Sequence, residues 1–553
     1  MTRYLYRSRK RFLLLTGLLL GLLLIDPGQR PALVLAQDRQ ITAFVNVNVI
    51  PMTTETVLEN QTVLVEGARI TALGPAAAVS VPAGAEIIDG NGAYLMPGLA
   101  DMHTHLAFDA DPAFMRLYLA QGVTTIRNLS GLPMHREWRD KVASGQLLGP
   151  TIYTSGPRIV GIPADSQWLA MLLRMVIVLL PILLGIGIWL LVWAVAKFSG
   201  KRVQSKQSRR VALSSFAVLA LMGICMAWFK VIPINVVTSY LDPTAHYVET
   251  GSEARRAVMQ QKAAGYDFIK PYDYLSEETF TAAMAAARAQ TMYAVGHMAD
   301  EIPLETVLTS GLQEIAHLDE YLTYHWIGYT PPLEKFVEFE MDYAAIPHTV
   351  ALSKDNNVMV VSNLVVDELI YRGLEDSAGL LAQPEYAVVR PEVLQSWRTQ
   401  GRFVNWQGQQ TYRRQVAQPF FYALIKALHD GGVPLLIGTD VTVEGILPYH
   451  LHRELELLVE AGLTPYEALA AGTKNAGISV ARMGRDGSFG TVAVGQIADL
   501  LLLAANPLES VSHTRQRLGV MVRGQWFTQA ELDQMVIAFV ANYSSNDETL
   551  VTR

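Results

Sequence analysis

The sequence predicts an α/β protein: a (β/α)8 TIM-like barrel, a small β domain formed from both chain ends, and a two-helix transmembrane insertion. Three observations carry this expectation. Eight short apolar strand patterns, with helix patterns among them, occupy most of the chain. Strand-rich segments separated by Gly, Pro and Asn recur near both ends. Two uncharged apolar runs of bilayer-spanning length interrupt the alternation. Only 17% of the 553 residues are charged, against about 25% in an ordinary soluble protein, which points to a part of the chain dissolved in lipid. The net charge of −7 gives no electrostatic basis for a nucleic-acid partner. A single cysteine, Cys225, excludes a disulfide framework and any cysteine-based zinc module.

Residues 1–36 read as a signal peptide or signal anchor. An uncharged stretch at 12–25 follows Arg3, Arg7, Arg9, Lys10 and Arg11. It reaches about 21 Å as a helix, short of a hydrocarbon core of about 30 Å. Val34 and Ala36 supply the small residues of a cleavage site before Gln37. Residues 37–98 form the N-terminal part of the β domain, with strands at 43–49, 62–67 and 70–74. Residues 484–530 return to it, and a C-terminal helix and tail occupy 531–553. The barrel is divided into 99–160 and 246–483, with strands expected at 94–105, 123–128, 151–155, 267–272, 292–297, 313–317, 357–362 and 433–440. A doubly wound sheet is the rival, but its glycine-rich dinucleotide turn is missing.

The insertion, 161–245, contains the apolar runs 175–196 and 211–229. The link between them carries six basic residues and no acid. By the positive-inside rule it is cytoplasmic, as is the basic N-terminus, so the remaining chain is extracytoplasmic. Trp168, Trp193 and Trp228 lie near the run ends, where indoles favour the interface. The insertion follows the third barrel strand, in a βα loop, so the membrane anchor emerges from the rim where such barrels build active sites.

Candidate ligands end several strands. His103 and His105 sit at i and i+2, on one face of the first strand, and form a natural half of a metal site. Lys270, His297, His317 and Asp440 close the fourth, fifth, sixth and eighth strands. Taken singly, each has an ordinary reading: a hydrogen-bonded histidine, an ion-paired lysine, an aspartate at a helix N-cap. Their common position at strand ends is what those readings do not explain. A second His-x-His, His450 and His452, opens a helix pattern, where i and i+2 diverge, and reads as structural. The long segment 367–415 reads equally as a lid over the rim or as a helical decoration of the barrel.

The stretches Leu95-Met96-Pro97-Gly98-Leu99-Ala100-Asp101-Met102-His103-Thr104-His105, Asp267-Phe268-Ile269-Lys270 and Gly495-Gln496-Ile497-Ala498-Asp499-Leu500 resemble the amidohydrolase superfamily, specifically its imidazolonepropionase-related branch. The similarity covers roughly residues 40–160 and 250–530. It implies a hydrolase with two divalent metal ions, zinc suiting the donor set. His103, His105 and Asp440 would hold one ion and His297 and His317 the other, with Lys270 bridging as an N-carboxylated lysine. A hydroxide held by the metals would attack an amide or peptide-like carbonyl, with Asp440 as general base. The chain departs from the family at Arg127-Asn128, where Arg-Asp is usual, and after Gly161, where a Gly- and His-rich motif is common. Both departures are expected to touch substrate choice rather than metal binding. The expected partners are the lipid bilayer and a small-molecule or peptide-like substrate, for which the rim position of the insertion suggests a lipid-linked or amphipathic molecule such as an N-acyl amino acid. The rival functions are a mononuclear deaminase or cyclic-amidine hydrolase, which has no use for a bridging Lys270, and a non-catalytic membrane binding module.

Overall fold

The computed structural model describes residues 41–106, 112–163, 242–299, 301–328, 340–400, 402–441 and 445–550, with a few isolated positions between 171 and 221. The expected signal segment and, apart from those isolated positions, both apolar runs lie outside the described residues. Among the described residues, no helix is long and apolar enough to cross a membrane.

One sheet is assembled from both ends of the chain. Ile41–Val49, Leu58–Glu66, Arg69–Pro75, Glu86–Asp89 and Tyr94–Pro97 come from the N-terminal side, and Leu500–Leu503, Arg517–Val522 and Gln525–Thr528 from the C-terminal side. The two sets meet where Leu500–Leu503 runs antiparallel to Tyr94–Pro97, Leu500 opposite Pro97 and Leu503 opposite Tyr94. Successive strand side chains point to opposite faces, and here both faces are covered. Leu500 and Leu502 pack with Phe44 and Val63 in the sheet's own core, while Leu501 and Leu503 join the large core shared with the barrel. That is why four consecutive leucines are all buried.

The second assembly is a ring of eight parallel strands. Leu99–Thr104, Val123–Asn128 and Thr151–Thr154 pair in chain order. Phe268–Ile269, Tyr293–Gly296, Glu314–Ile315, Met359–Val361 and Leu435–Leu436 do the same. Parallel bridges Ser155–Phe268 and Thr104–Val441 join the two sets at both seams. Strands of a closed parallel ring deliver all their C-terminal ends to one rim. The single strand expected over 94–105 is two strands. Gly98 N donates to Asp499 O in the sheet at 2.8 Å, whereas Leu99 N donates to Gly122 O in the ring at 3.0 Å. The chain changes layer between these two residues. Gly98 permits it, since a β-carbon there would collide with the Thr124 side chain.

The ring closes over a buried ion pair. Arg127, on the second strand, is fully buried and bonded to Glu314 on the sixth, which is equally buried. Arg127 Nε also donates to Met102 O at 2.8 Å and Nη1 to Ser479 Oγ at 3.1 Å, while Ser479 Oγ donates to Glu314 Oε2 at 2.7 Å. A buried pair with its remaining donors satisfied is tolerated, but removing one partner leaves an uncompensated charge in the interior. Arg127→Met is therefore expected to lower stability by about 3–5 kcal/mol, read as a shift in the urea unfolding midpoint. The double variant Arg127→Met/Glu314→Gln should recover part of that loss.

Candidate functional site

The rim gathers the strand-end residues into two groups. His103, His105 and Asp440 form one, and His297, His317 and Glu320 the other, each with its donor atoms within 4.8 Å of one another. In the first group His103 Nε2 and His105 Nε2 lie 3.1 Å apart, and Asp440 Oδ1 is 3.4 Å from the one and 3.0 Å from the other. His103 Nδ1 lies 2.8 Å from Ala316 O. A carbonyl only accepts, so Nδ1 carries the proton and Nε2 presents its lone pair to the group. Burial, helped by His317, Lys270 and His105, pulls the His103 pKa well below the usual histidine range. Burial also lowers His105, against the pull of Asp440. Both rings are therefore ready to ligate without first losing a proton.

Asp440 has a left-handed backbone, φ 57°. It is held there from both sides. Asp440 N donates to His103 O at 2.7 Å, and the neighbouring Thr439 donates from N at 3.0 Å and from Oγ at 2.5 Å to the carboxylate of Asp101, which also receives His103 N at 3.2 Å. One buried carboxylate thus ties the His103 strand to the Asp440 turn.

In the second group His297 Nδ1 is 2.6 Å from Asp273 Oδ1 and 3.0 Å from Glu320 Oε1. The Nδ1 proton faces two carboxylates, and the buried Nε2 has no hydrogen-bond partner. Burial alone would lower its pKa, but Glu320 and Asp273 outweigh it and raise the value to about 9. Glu320 has Oε1 against His297 and Oε2 accepting Met298 N at 2.7 Å, which suits an orienting carboxylate. The His317 ring lies between the groups, with centroids 4.2 Å from His103 and 4.9 Å from His297. Lys270 is fully buried and its Nζ has no hydrogen-bond partner. Burial lowers its pKa to about 7, against the opposing charges of Asp440, Glu320 and Asp273. An ammonium cannot ligate, but a neutral amine can take up CO2 to become an anionic carbamate, so the buried amine fits the bridging role. The unpartnered His297 Nε2 and Lys270 Nζ, together with the converging imidazoles and the Asp440 carboxylate, make a donor set suited to divalent cations.

All six residues expected at the site are thus brought to one rim. Glu320, Asp273 and Asp101 were not expected. Asp273 and Glu320 each lie three residues beyond a candidate ligand, Lys270 and His317, and that spacing was the available signal. His450 and His452 are structural, as expected. His450 Nδ1 accepts Leu447 N at 2.9 Å, and His452 Nδ1 lies 2.8 Å from Thr514 Oγ1. Asn128 is buried, donating to His135 Nδ1 at 2.9 Å and accepting Leu106 N at 3.0 Å, so it ties the turn that follows His105 to the second strand.

A cavity of about 330 Å³ opens beside the two groups, lined by His105, His297, His317 and Asp440 on one side. Arg158, Tyr272, Asp367, Trp406 and Arg413 are among the other residues that line it. The segment 367–415 contains helices at Pro391–Thr399, Arg402–Asn405 and Gln410–Tyr412, and it supplies Asp367, Trp406 and Arg413 to the cavity wall. Arg413 Nη1 donates to Asp367 at 2.5 Å, and its guanidinium lies 4.7 Å from the Trp406 ring. Arg158 begins the strand Arg158–Val160, which pairs with Ala245–Tyr247 on the far side of the insertion. Its Nη2 donates to Asp242 at 3.2 Å and Thr244 at 2.9 Å, and its guanidinium lies 4.6 Å from the Tyr272 ring.

The amidohydrolase family profile matches residues 253–527, the part that carries Lys270, His297, His317 and Asp440. An adenine deaminase from Ruegeria sp. (strain TM1040) is 36% identical over 114 residues, covering 19% of this chain and 18% of the deaminase. Among solved structures, a Xaa-Pro dipeptidase with bound methionine aligns over 88% of this chain and all of its own, with TM-score 0.57 and 17% identity. A bottromycin amidohydrolase aligns over 91% of both chains, with TM-score 0.58 and 17% identity. At such identities the structural likeness speaks for the fold. The profile match, over just under half of the chain, makes residues 253–527 similar to the amidohydrolase family.

Proposed function

We propose that the protein is a metal-dependent hydrolase of an amide or peptide-like C–N bond, with His103, His105 and Asp440 holding one cation and His297 and His317 the second. Lys270, carboxylated on Nζ, would bridge them. The observation that carries this reading is the fully buried, unpartnered Lys270 Nζ beside two groups of converging donors. Divalent cations there supply Lewis-acid polarisation of the substrate carbonyl and a water reactive at neutral pH. Asp440 stands at the cavity wall, where it accepts the proton of the attacking water and passes it to the departing amine nitrogen. Asp101 and His103 O hold Asp440 in place. Asp273 and Glu320 hold the His297 ring so that Nε2 faces inward. Arg158 and Arg413 offer guanidinium donors to a substrate carboxylate, a group they can hold with planar, charge-assisted bonds.

The deaminase match favours a second reading, a mononuclear deaminase. Lys270 separates the two, because a single-cation site has no role for a bridging carbamate. The motif run ending at His105 supports placement in the imidazolonepropionase-related branch. We also read the apolar runs within 161–245 as a membrane hairpin with the site on the extracytoplasmic side. The support is the length and lack of charge of the runs and their basic link, together with the foot of the insertion, whose Asp242 and Thr244 touch the cavity residue Arg158. Such a placement suits an amphipathic substrate such as an N-acyl amino acid.

Purified protein is expected to hold about two divalent ions per chain by elemental analysis and to hydrolyse members of a dipeptide and N-acyl amino acid panel. Lys270→Ala should lose metal and activity together. Metal uptake by the stripped protein should be promoted by bicarbonate and rise with pH through about 7, because deprotonation makes the amine nucleophilic. One ion per chain, unchanged in Lys270→Ala, would favour the deaminase. Lengthening the acyl chain of an N-acyl amino acid from two to twelve carbons is expected to raise kcat/KM at least tenfold. A flat series would remove the amphipathic-substrate reading while leaving the hydrolase intact.

A further inference from the structure

A second cavity, about 540 Å³, lies at the opposite end of the ring. It is set at the N-terminal ends of the fourth, fifth and sixth strands, where Asp267, Met292 and Gln313 precede Phe268, Tyr293 and Glu314. Lys262, Arg288, Arg482 and Arg485 line it, and Asp267 is its one carboxylate among the described residues. That carboxylate is already shared, bonded to Arg485 at 2.7 Å and to Arg139 at 3.1 Å. The other three cations are steadied by uncharged oxygens. Lys262 Nζ donates to Thr291 O at 3.3 Å and Arg288 Nη1 to Ser310 O at 2.7 Å, while Arg482 donates to Asn357 O at 3.0 Å and Oδ1 at 2.9 Å.

Such partners orient a cation without neutralising it, so positive charge in the cavity is held in place but not compensated. Like charges gathered around one concavity repel, and an anion entering it relieves the repulsion. Arginine guanidinium groups favour phosphate because its oxygens accept paired, charge-assisted bonds. We propose that this cavity binds a soluble small molecule carrying two or more adjacent phosphate groups. The site is separate from the rim chemistry and does not depend on the hydrolase reading. Its place beneath the strands that end in Lys270, His297 and His317 puts a bound anion on the strands that carry Lys270 and the second donor group.

The test is calorimetric titration of the purified full-length protein with inorganic pyrophosphate, repeated at rising salt. Wild type should bind about one pyrophosphate per chain, more weakly as salt increases. Arg288→Gln and Arg482→Gln should each weaken binding about tenfold or more, a loss typical of a charge-assisted bond, with melting temperatures close to wild type. Lys426→Gln, which removes an exposed lysine paired with Asp430, should bind as wild type does. Every metal-site residue is intact in these variants, so a signal from pyrophosphate chelating the metals would persist unchanged in all of them, and that result would overturn the proposal. Binding that does not saturate near one per chain would do the same. So would binding to vesicles containing phosphatidic acid with none to pyrophosphate, which would move the anion to a lipid surface.

Discussion

The seam between the first and eighth strands of the ring is the constraint on which the rest depends. At this seam Met102 N donates to Ile437 O and Asp440 N to His103 O, so the strand carrying two histidines and the turn carrying the aspartate share one backbone ladder. Asp101 reinforces it with three accepted bonds. The ladder explains how a non-glycine residue holds a left-handed backbone at Asp440. Such a conformation costs energy, and here the surrounding bonds leave it no alternative. Without this closure the ligands of the first group would sit on the two free edges of an open sheet.

A second feature of the site is the way its imidazoles are aimed. His103 is oriented by a neutral carbonyl and His297 by two carboxylates, so the environments of the two rings differ in charge. Burial dominates at His103 and keeps it neutral. At His297 the carboxylates win, and the ring holds a proton to a higher pH. A carboxylate behind an imidazole raises its basicity and fixes its tautomer, so Asp273 and Glu320 orient the His297 ring although neither ends a strand.

The insertion touches the site through a short physical path. Arg158 and the residues after it pair with Ala245–Tyr247 on one side. On the other, Ile159 N donates to Lys270 O at 2.8 Å and Tyr272 N to Ile159 O at 2.9 Å. The strand at the foot of the insertion is therefore bonded directly to the strand end that carries Lys270. The flanks of the insertion are thus anchored on the backbone of the rim, where the sequence places it.

Much of this architecture is legible in the sequence because it rests on periodic or local rules. Parallel strands separated by helices imply a common rim, and i, i+2 spacing places His103 and His105 on one face. The strand ends at Lys270, His297, His317 and Asp440 could therefore be read in order along the chain, as could the contrast with His450 and His452 on a helix. What the sequence could not decide were relations between residues far apart in it. The change of layer at Gly98 depends on Asp499 and Gly122, and the work of Asn128 on His135 and Leu106. The orientation of His297 depends on carboxylates from two other loops, and the uncompensated charge at the base of the ring on four cations spread over more than two hundred residues. Hydrogen bonds and charges act through distance in space, which only the folded chain sets. Strand periodicity and spacing alone say which residue types reach the rim, while folding sets which way each faces and what it is bonded to.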